Sequence, residues 1–104
     1  MENKSYQLCY LPIFEQDLIQ TVDYITNVLK NEDAASHLIN DVEAAVLERL
    51  HNPLAFEPYR SVKKRDNSYY RIYVNNYVVY YVVIGNIMEV RRLMYGARDT
   101  DRHL

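Results

Sequence analysis

The chain has 104 residues, of which 49% are hydrophobic and 25% are charged, and its formal net charge is −2. This length accommodates one hydrophobic core, so residues 1–104 are expected to form a single domain, and the composition excludes a disordered chain or a fibrous repeat. A lone cysteine excludes an internal disulfide. The absence of an apolar run of about 20 residues and of a signal-peptide pattern predicts a cytoplasmic protein that does not enter a membrane.

Charge is distributed unevenly along the chain. Residues 1–58 carry three cations and ten acids, a net charge of −7, whereas residues 59–104 carry nine cations and four acids, a net charge of +5. An anionic ligand is therefore expected to meet the second part of the chain. Two solvated surfaces of opposite sign are an almost equally good explanation.

The first half of the chain predicts one strand and two helices. Residues 6–11 are β-prone and precede a proline that suits the first turn of a helix. A helix over residues 13–30 is indicated by an apolar stripe with helical spacing, which comprises Phe14, Leu18, Val22, Ile25 and Leu29. A break at residues 31–33, with Asp33 as the N-cap, precedes a second amphipathic helix that runs to His51. The two helices are expected to form an antiparallel hairpin.

The second half predicts an antiparallel sheet. Two prolines end the helical half, and Leu54 and Phe56 beside them are expected to close the end of the core. Three runs rich in β-branched and aromatic residues follow, at residues 69–74, 77–84 and 87–95. Asn75-Asn76 and Gly85-Asn86 between them suit tight hairpin turns, and the middle run, apolar on both faces, belongs at the sheet centre. The sequence thus predicts an α+β fold with a short N-terminal strand, an antiparallel helical hairpin and a three-stranded antiparallel meander forming one sheet.

Arginines on the predicted strands are the first candidates for chemistry. The chain has no glycine-rich phosphate loop, no Cys-x-x-Cys and no His-Glu-x-x-His, so no metal or other cofactor is predicted. Arg71 lies in the first run, Arg92 in the last, and Arg98 just after it. Alternation along a strand places Arg92 on the face of Met88, Val90 and Met94. A buried ion pair with an acid of the helical hairpin is the favoured interpretation of Arg92, and an anion-recognising guanidinium is the alternative.

A phosphate-binding patch is a second interpretation of the basic residues. Arg71 and Arg98 could combine with three loop cations, Lys63, Lys64 and Arg65, while tyrosines offer faces on which bases stack. Filling of the strands is the simpler role for most of the eleven tyrosines.

Three short motifs of the sequence resemble those of a known family. The word Arg92-Leu93-Met94-Tyr95-Gly96-Ala97-Arg98-Asp99 resembles the ParE-like ending Arg-Val-Leu-His-Gly-Arg-Arg-Asp, and Tyr70-Arg71-Ile72 and Asp23-Tyr24-Ile25 also fit. In this order they are similar to the RelE/ParE toxin superfamily, and closer to its ParE-like branch. The resemblance implies the toxin of a type II toxin-antitoxin module, of the kind that stabilises plasmids by addiction. It also implies a cognate antitoxin that wraps the helical hairpin and the sheet.

The resemblance leaves three functions open. A ParE-like toxin inhibits DNA gyrase, and the residues expected to bind a target are Lys63, Lys64, Arg65, Arg92 and Tyr95. A RelE-like toxin is a metal-independent endoribonuclease that cleaves messenger RNA on the ribosome, which would give Arg71 and Arg98 catalytic roles. For that branch the sequence departs from the pattern, because Val78 stands where RelE-like enzymes carry an arginine and Leu104 stands near the place of a tail tyrosine. The third function is a homologue without toxicity that only binds its antitoxin.

Overall fold

Two helices pack against one side of a four-stranded sheet. The computed structural model describes residues 5–59 and 67–96. The strands are β1 (Gln7–Tyr10), β2 (Tyr70–Val74), β3 (Tyr77–Ile84) and β4 (Ile87–Tyr95), and the helices are α1 (Pro12–Asp23) and α2 (Glu32–Arg49). A π-helical turn, Tyr24–Val28, continues α1. The predicted α+β fold is confirmed.

The N-terminal strand completes the sheet at the side of the last strand. The order is β1-β4-β3-β2, with β1 parallel to β4 and the other neighbours antiparallel. The pairing of β1 begins at Gln7 with Ile87 and ends at Tyr10 with Val90. The second half of β4, residues 91–95, therefore has no strand on that side among the described residues.

Two-residue turns join the strands of the meander. Only the first residue of each turn has a positive φ, 55° at Asn75 and 61° at Gly85. This is the φ pattern of type II′ turns, whose twist matches that of the flanking strands. The prediction of two tight hairpins is confirmed.

The π-helical turn changes which residues of the first helical segment are buried. The Leu29 amide donates to the Tyr24 carbonyl, five residues back, at 3.1 Å. The extra residue in this turn shifts the helical phase, so Leu29, predicted to be in the core, is 56% exposed. The predicted N-cap was also wrong: Asn31 caps α2 by accepting a hydrogen bond from the Ala34 amide, and Asp33 lies in the first turn, where its charge suits the helix dipole.

The main core lies between the helices and the sheet. The β3 strand buries side chains on both faces of the sheet. Tyr81 and Val79 face the helices, whereas Tyr80 and Val82 belong to a second cluster on the other face, against which Tyr59 packs. All four β3 side chains have no exposed surface. Burial on both faces confirms that β3 lies at the sheet centre.

The end of the core is closed differently from the prediction. Leu54 and Phe56 are 47% and 49% exposed, and Pro53 is buried instead. Phe56 lies against the Arg49 guanidinium, with 3.6 Å between the guanidinium carbon and the ring centroid. Within the described residues, no helix is long and apolar enough to cross a membrane.

We expect Gly85→Ala to lower the free energy of unfolding by roughly 1–2 kcal/mol, because an L residue is strained at this positive φ. A Cβ at Gly85 would meet nothing within 4 Å, so steric clashes contribute little. Urea denaturation measures the change, with Asn86→Ala as the control in the same turn. An unchanged midpoint for Gly85→Ala would contradict the turn geometry.

Candidate functional site

Asp17 of α1 forms hydrogen bonds to β4 on the side that β1 does not cover, which we call the open side of β4. Its carboxylate accepts hydrogen bonds from Arg92 Nε at 2.8 Å, Arg92 Nη2 at 3.1 Å and the Leu93 amide at 3.0 Å. The side chains of Arg92 and Asp17 are largely buried, at 21% and 14% exposure. The hydrogen bonds that the Arg92 guanidinium donates to Asp17 raise the pKa of Arg92 above its ordinary value. The structure therefore shows the ion pair with the helical hairpin that the sequence favoured for Arg92.

A β-bulge in β4 interrupts the regular alternation of side chains just before Arg92. Tyr81 pairs with Val90 and Tyr80 pairs with Arg92, so Arg91 is an extra residue on β4. The bulge reverses the alternation of side chains. Leu93 consequently joins the core on the helix side, whereas Met94 packs against the second cluster. The predicted face shared by Met88, Val90 and Met94 was wrong for Met94, since strict alternation cannot anticipate a bulge.

The sheet face opposite the helices carries two further arginines. The Arg71 guanidinium carbon lies 4.8 Å from the ring centroid of Tyr59 and 5.7 Å from that of Tyr73. Among the described residues no carboxylate pairs with Arg71. Arg91 instead donates to Glu89 Oε1 at 2.8 Å and to the Tyr69 hydroxyl at 3.1 Å. Of these two guanidinium groups, Arg71 is therefore the one that no carboxylate of the described residues holds.

Sequence reasoning missed a polar network at the end of α2. Arg49 Nη1 donates to the Tyr81 hydroxyl and to the Arg71 carbonyl, both at 3.0 Å, and the Tyr81 hydroxyl donates to the Pro53 carbonyl at 2.8 Å. Burial raises the pKa of Tyr81, and the neighbouring Arg49 partly offsets the rise. The signal in the sequence was a lone arginine in the last turn of an amphipathic helix, which resembles an ordinary favourable charge at a helix C-terminus.

Tyr95 lines an open groove beside the second half of β4. The groove has a volume of about 600 Å³, and α1, the π-helical turn and the ends of β3 and β4 form its walls. Tyr95 is 67% exposed, and its ring meets that of Tyr77 edge to face at a centroid distance of 5.3 Å. We call this feature the tyrosine groove; its other principal lining residues are Gln20, Thr21, Tyr24 and Leu29.

The candidate residues within the described part of the chain do not lie together in one site. Arg71, Tyr80 and Arg92 stand opposite one another on three adjacent strands. Arg92 nevertheless turns to α1, Arg71 stacks on Tyr59 across the other face, and Tyr95 lies at the groove. The remaining candidates, Lys63, Lys64, Arg65 and Arg98, lie outside the described residues. In residues 5–59 and 67–96 no three His, Cys, Asp or Glu side chains are grouped so that they could hold a metal ion.

The comparisons with known proteins agree with this architecture. A solved structure described as the chromosomal ParDE TA system from P. aeruginosa is similar with a TM-score of 0.69 and 14% identity, over 90% of this chain and 99% of that chain. The RelB-RelE antitoxin-toxin complex from Methanococcus jannaschii is more distant, with a TM-score of 0.45 and 22% identity, over 84% of this chain and 88% of that chain. No curated protein sequence matches significantly. The similarity to the P. aeruginosa structure shows that the fold is that of the RelE/ParE-like toxins.

The family follows from the sequence itself. A sequence model described as ParE toxin of type II toxin-antitoxin system, parDE, matches residues 9–100. This range begins in β1 and extends past the end of β4. The chain therefore belongs to the ParE toxin family of type II toxin-antitoxin systems.

We expect Asp17→Ala to lower the free energy of unfolding by about 3 kcal/mol, because it leaves the Arg92 guanidinium and the Leu93 amide without their acceptor. Urea denaturation of Asp17→Ala, Arg92→Ala and the double variant gives the coupling energy. Glu43→Ala, at an exposed acid of α2, is the control and should change little. Additive effects at the two sites would contradict a coupled pair.

Stability should also fall in alkali because of Tyr81. Its pKa is raised above the ordinary value of 10.0, so its contribution is complete below pH 10.0 and is lost as pH rises through the folded-state pKa. Tyr81→Phe should make this alkaline loss shallower, while lowering stability at neutral pH by roughly 1 kcal/mol through the lost hydrogen bonds. Denaturation midpoints across the alkaline range test this, with the exposed Tyr73→Phe as the control. Parallel pH profiles for Tyr81→Phe and the unaltered chain would show that Tyr81 is not responsible.

Proposed function

We propose that this ParE-family toxin inhibits DNA gyrase in the cytoplasm and that a cognate antitoxin neutralises it. The proposal is supported first by the family match over residues 9–100. A binding inhibitor of this kind requires a complementary surface and no chemistry of its own. The folded sheet with its exposed aromatic residues provides such a surface.

The burial of Val78 is the observation that most favours gyrase over messenger RNA. A ribonuclease of the RelE-like kind needs cations directed at the developing charge on phosphate, and one such donor is typically worth about 10²–10³ in rate. Arg92 is held in a largely buried ion pair. Val78, at the position where RelE-like enzymes carry an arginine, is 2% exposed within the second cluster. Neither position supplies a cation to a phosphate.

Arg71 supports the alternative, a divergent ribosome-dependent endoribonuclease. Its guanidinium stacks on Tyr59 and has no carboxylate partner among the described residues, an arrangement that can present donors to an RNA phosphate. Under this alternative Arg98 would be the second catalytic residue, with Lys63, Lys64 and Arg65 binding the RNA backbone. The third possibility is a homologue that binds an antitoxin without harming the cell.

Charge supports a basic antitoxin segment as the neutralising partner. α1 and α2 expose acids along their length, and residues 1–58 as a whole have a net charge of −7. Such a surface favours encounter with a cationic chain, and the attraction weakens as salt rises. The affinity of the antitoxin should accordingly fall with ionic strength.

Induced expression in bacteria, with and without the neighbouring small gene, tests these functions together. We expect growth arrest, DNA breaks and intact transcripts without the neighbouring gene, and normal growth with it. Purified toxin should block DNA supercoiling by purified gyrase. Arg98→Ala and Arg102→Ala form a matched pair of tail variants, of which only the first removes a candidate catalytic arginine.

Each other outcome selects a different function. Transcript ends in phase with codons that disappear in Arg98→Ala and persist in Arg102→Ala would establish the ribonuclease and overturn the gyrase proposal. Absence of arrest with retained antitoxin binding would establish the homologue without toxicity.

A further inference from the structure

The end of α2 and the segment that follows it enclose a second open pocket, on the helix side of the sheet. Its volume is about 390 Å³, a size at which pockets hold small molecules. The buried side chain of Ile72 connects this pocket to the core. We call the feature the Arg49 pocket; four apolar and four polar residues line it, namely Ala45, Ala55, Phe56, Ile72, Glu48, Arg49, His51 and Asn52.

Neutral groups alone hold the Arg49 guanidinium in place. Its Nη1 donates to the Tyr81 hydroxyl and to the Arg71 carbonyl, and the Phe56 ring covers the guanidinium carbon at 3.6 Å from the ring centroid. Among residues 5–59 and 67–96 no carboxylate pairs with Arg49, and its Nε and Nη2 have no acceptor. The charge of Arg49 is therefore not neutralised by an ion pair, and three of its five N–H donors remain open.

The carbonyls at the end of α2 do not use these open donors. The amides of residues 50–52 donate to the carbonyls of Val46, Glu48 and Arg49, respectively, at 3.0–3.2 Å. Main-chain groups thus satisfy this part of the helix end without the guanidinium. The open donors of Arg49 are left for water or for a ligand in the pocket.

We propose that the Arg49 pocket binds a carboxylate group attached to a short apolar body. Nε and Nη2 lie along one edge of the guanidinium and present parallel donors, which match the two oxygens of a carboxylate. Because Tyr81 and Phe56 already orient the guanidinium, binding costs little side-chain entropy. The apolar body of the ligand packs against Ala45 and Ile72. The site is separate from the proposed function, which does not use it.

Glu48 is the acid that lines the same pocket. It is exposed, and no described cation forms an ion pair with it. Its charge repels an anion that approaches Arg49. Removal of this charge should therefore strengthen the binding of a carboxylate, whereas a ligand held by apolar contacts alone would not respond.

An NMR titration of the full chain with isocaproate tests the proposal. Isocaproamide, a neutral molecule of the same shape, is the comparison ligand. We expect saturable shifts at millimolar isocaproate in the amides between residues 48 and 56 and in the amide of Ile72. Isocaproamide should bind roughly tenfold more weakly, because it lacks the charge-assisted hydrogen bonds to Arg49.

A third ligand distinguishes two sources of the carboxylate. N-acetylglycylleucine carries the same apolar group beside the terminal carboxylate of a peptide. Tighter binding of this peptide than of isocaproate would support the proposal with a protein C-terminus as the ligand. Weaker binding would support it with a free carboxylic acid as the ligand.

Two acids of α2 provide a matched pair of variants. Glu48→Gln removes the charge in the pocket and should strengthen isocaproate binding roughly threefold. Glu32→Gln removes the same charge at the opposite end of α2, roughly 24 Å away along the helix axis, and should leave binding unchanged. Arg49→Gln should abolish the preference for isocaproate over isocaproamide. If the hydrogen bonds lost in Arg49→Gln prevent folding, the comparison of the two glutamate variants decides the outcome.

The remaining outcomes overturn the proposal. Equal affinity for isocaproate and isocaproamide would show that Arg49 does not recognise the charge, and unchanged or weaker binding to Glu48→Gln would place the carboxylate away from the pocket. Shifts confined to other residues would place the ligand on another surface, and no shifts would remove the site. Gyrase inhibition is measured separately on the same protein, so failure of the pocket and failure of the proposed function are distinguished.

Discussion

The carboxylate of Asp17 is the contact on which the arrangement of helices and sheet depends. β1 leaves the side of β4 after four residues, and the chain must turn into α1 to cover the core. Without Asp17 the Leu93 amide would face a gap in the sheet, and the largely buried Arg92 would lose its carboxylate. One side chain satisfies both groups, so a helix residue takes the place of a missing strand residue. The same contact joins α1 to β4 at one end of the tyrosine groove, which Asp17 and Leu93 both line.

Periodicity predicted the elements well, because each relies on local spacing. The stripe through Phe14 and Ile25 identified the first helix, and the doubly apolar run of β3 identified the sheet centre. Errors arose wherever one residue was inserted into a regular pattern. The π-helical turn exposed Leu29, and the bulge exchanged the roles of Leu93 and Met94. Such insertions are determined by tertiary contacts, which a single sequence does not display.

The candidate site was predicted in part for the same reason. Residue type alone suggested that Arg92 needs an acid of the hairpin, and the structure supplied Asp17 as the particular partner. The Arg49 network escaped notice, since the acceptors of Arg49 are the Tyr81 hydroxyl and the Arg71 carbonyl, both far away in sequence. The pattern of the sequence indicates that a charged residue on an apolar face needs a partner. The identity of the group that satisfies it depends on topology.

The parallel pairing of β1 with β4 also has a consequence for how the protein is made. Gln7 and Ile87 are partners across about eighty intervening positions, so this closure carries a high entropic cost and comes late in folding. During synthesis the N-terminal strand has no neighbour until the last strand leaves the ribosome. A truncated nascent chain therefore contains the helices without a complete sheet. The four-stranded sheet is complete only after β4 has been synthesised, so a partner that recognises the assembled sheet binds only chains that already contain β4.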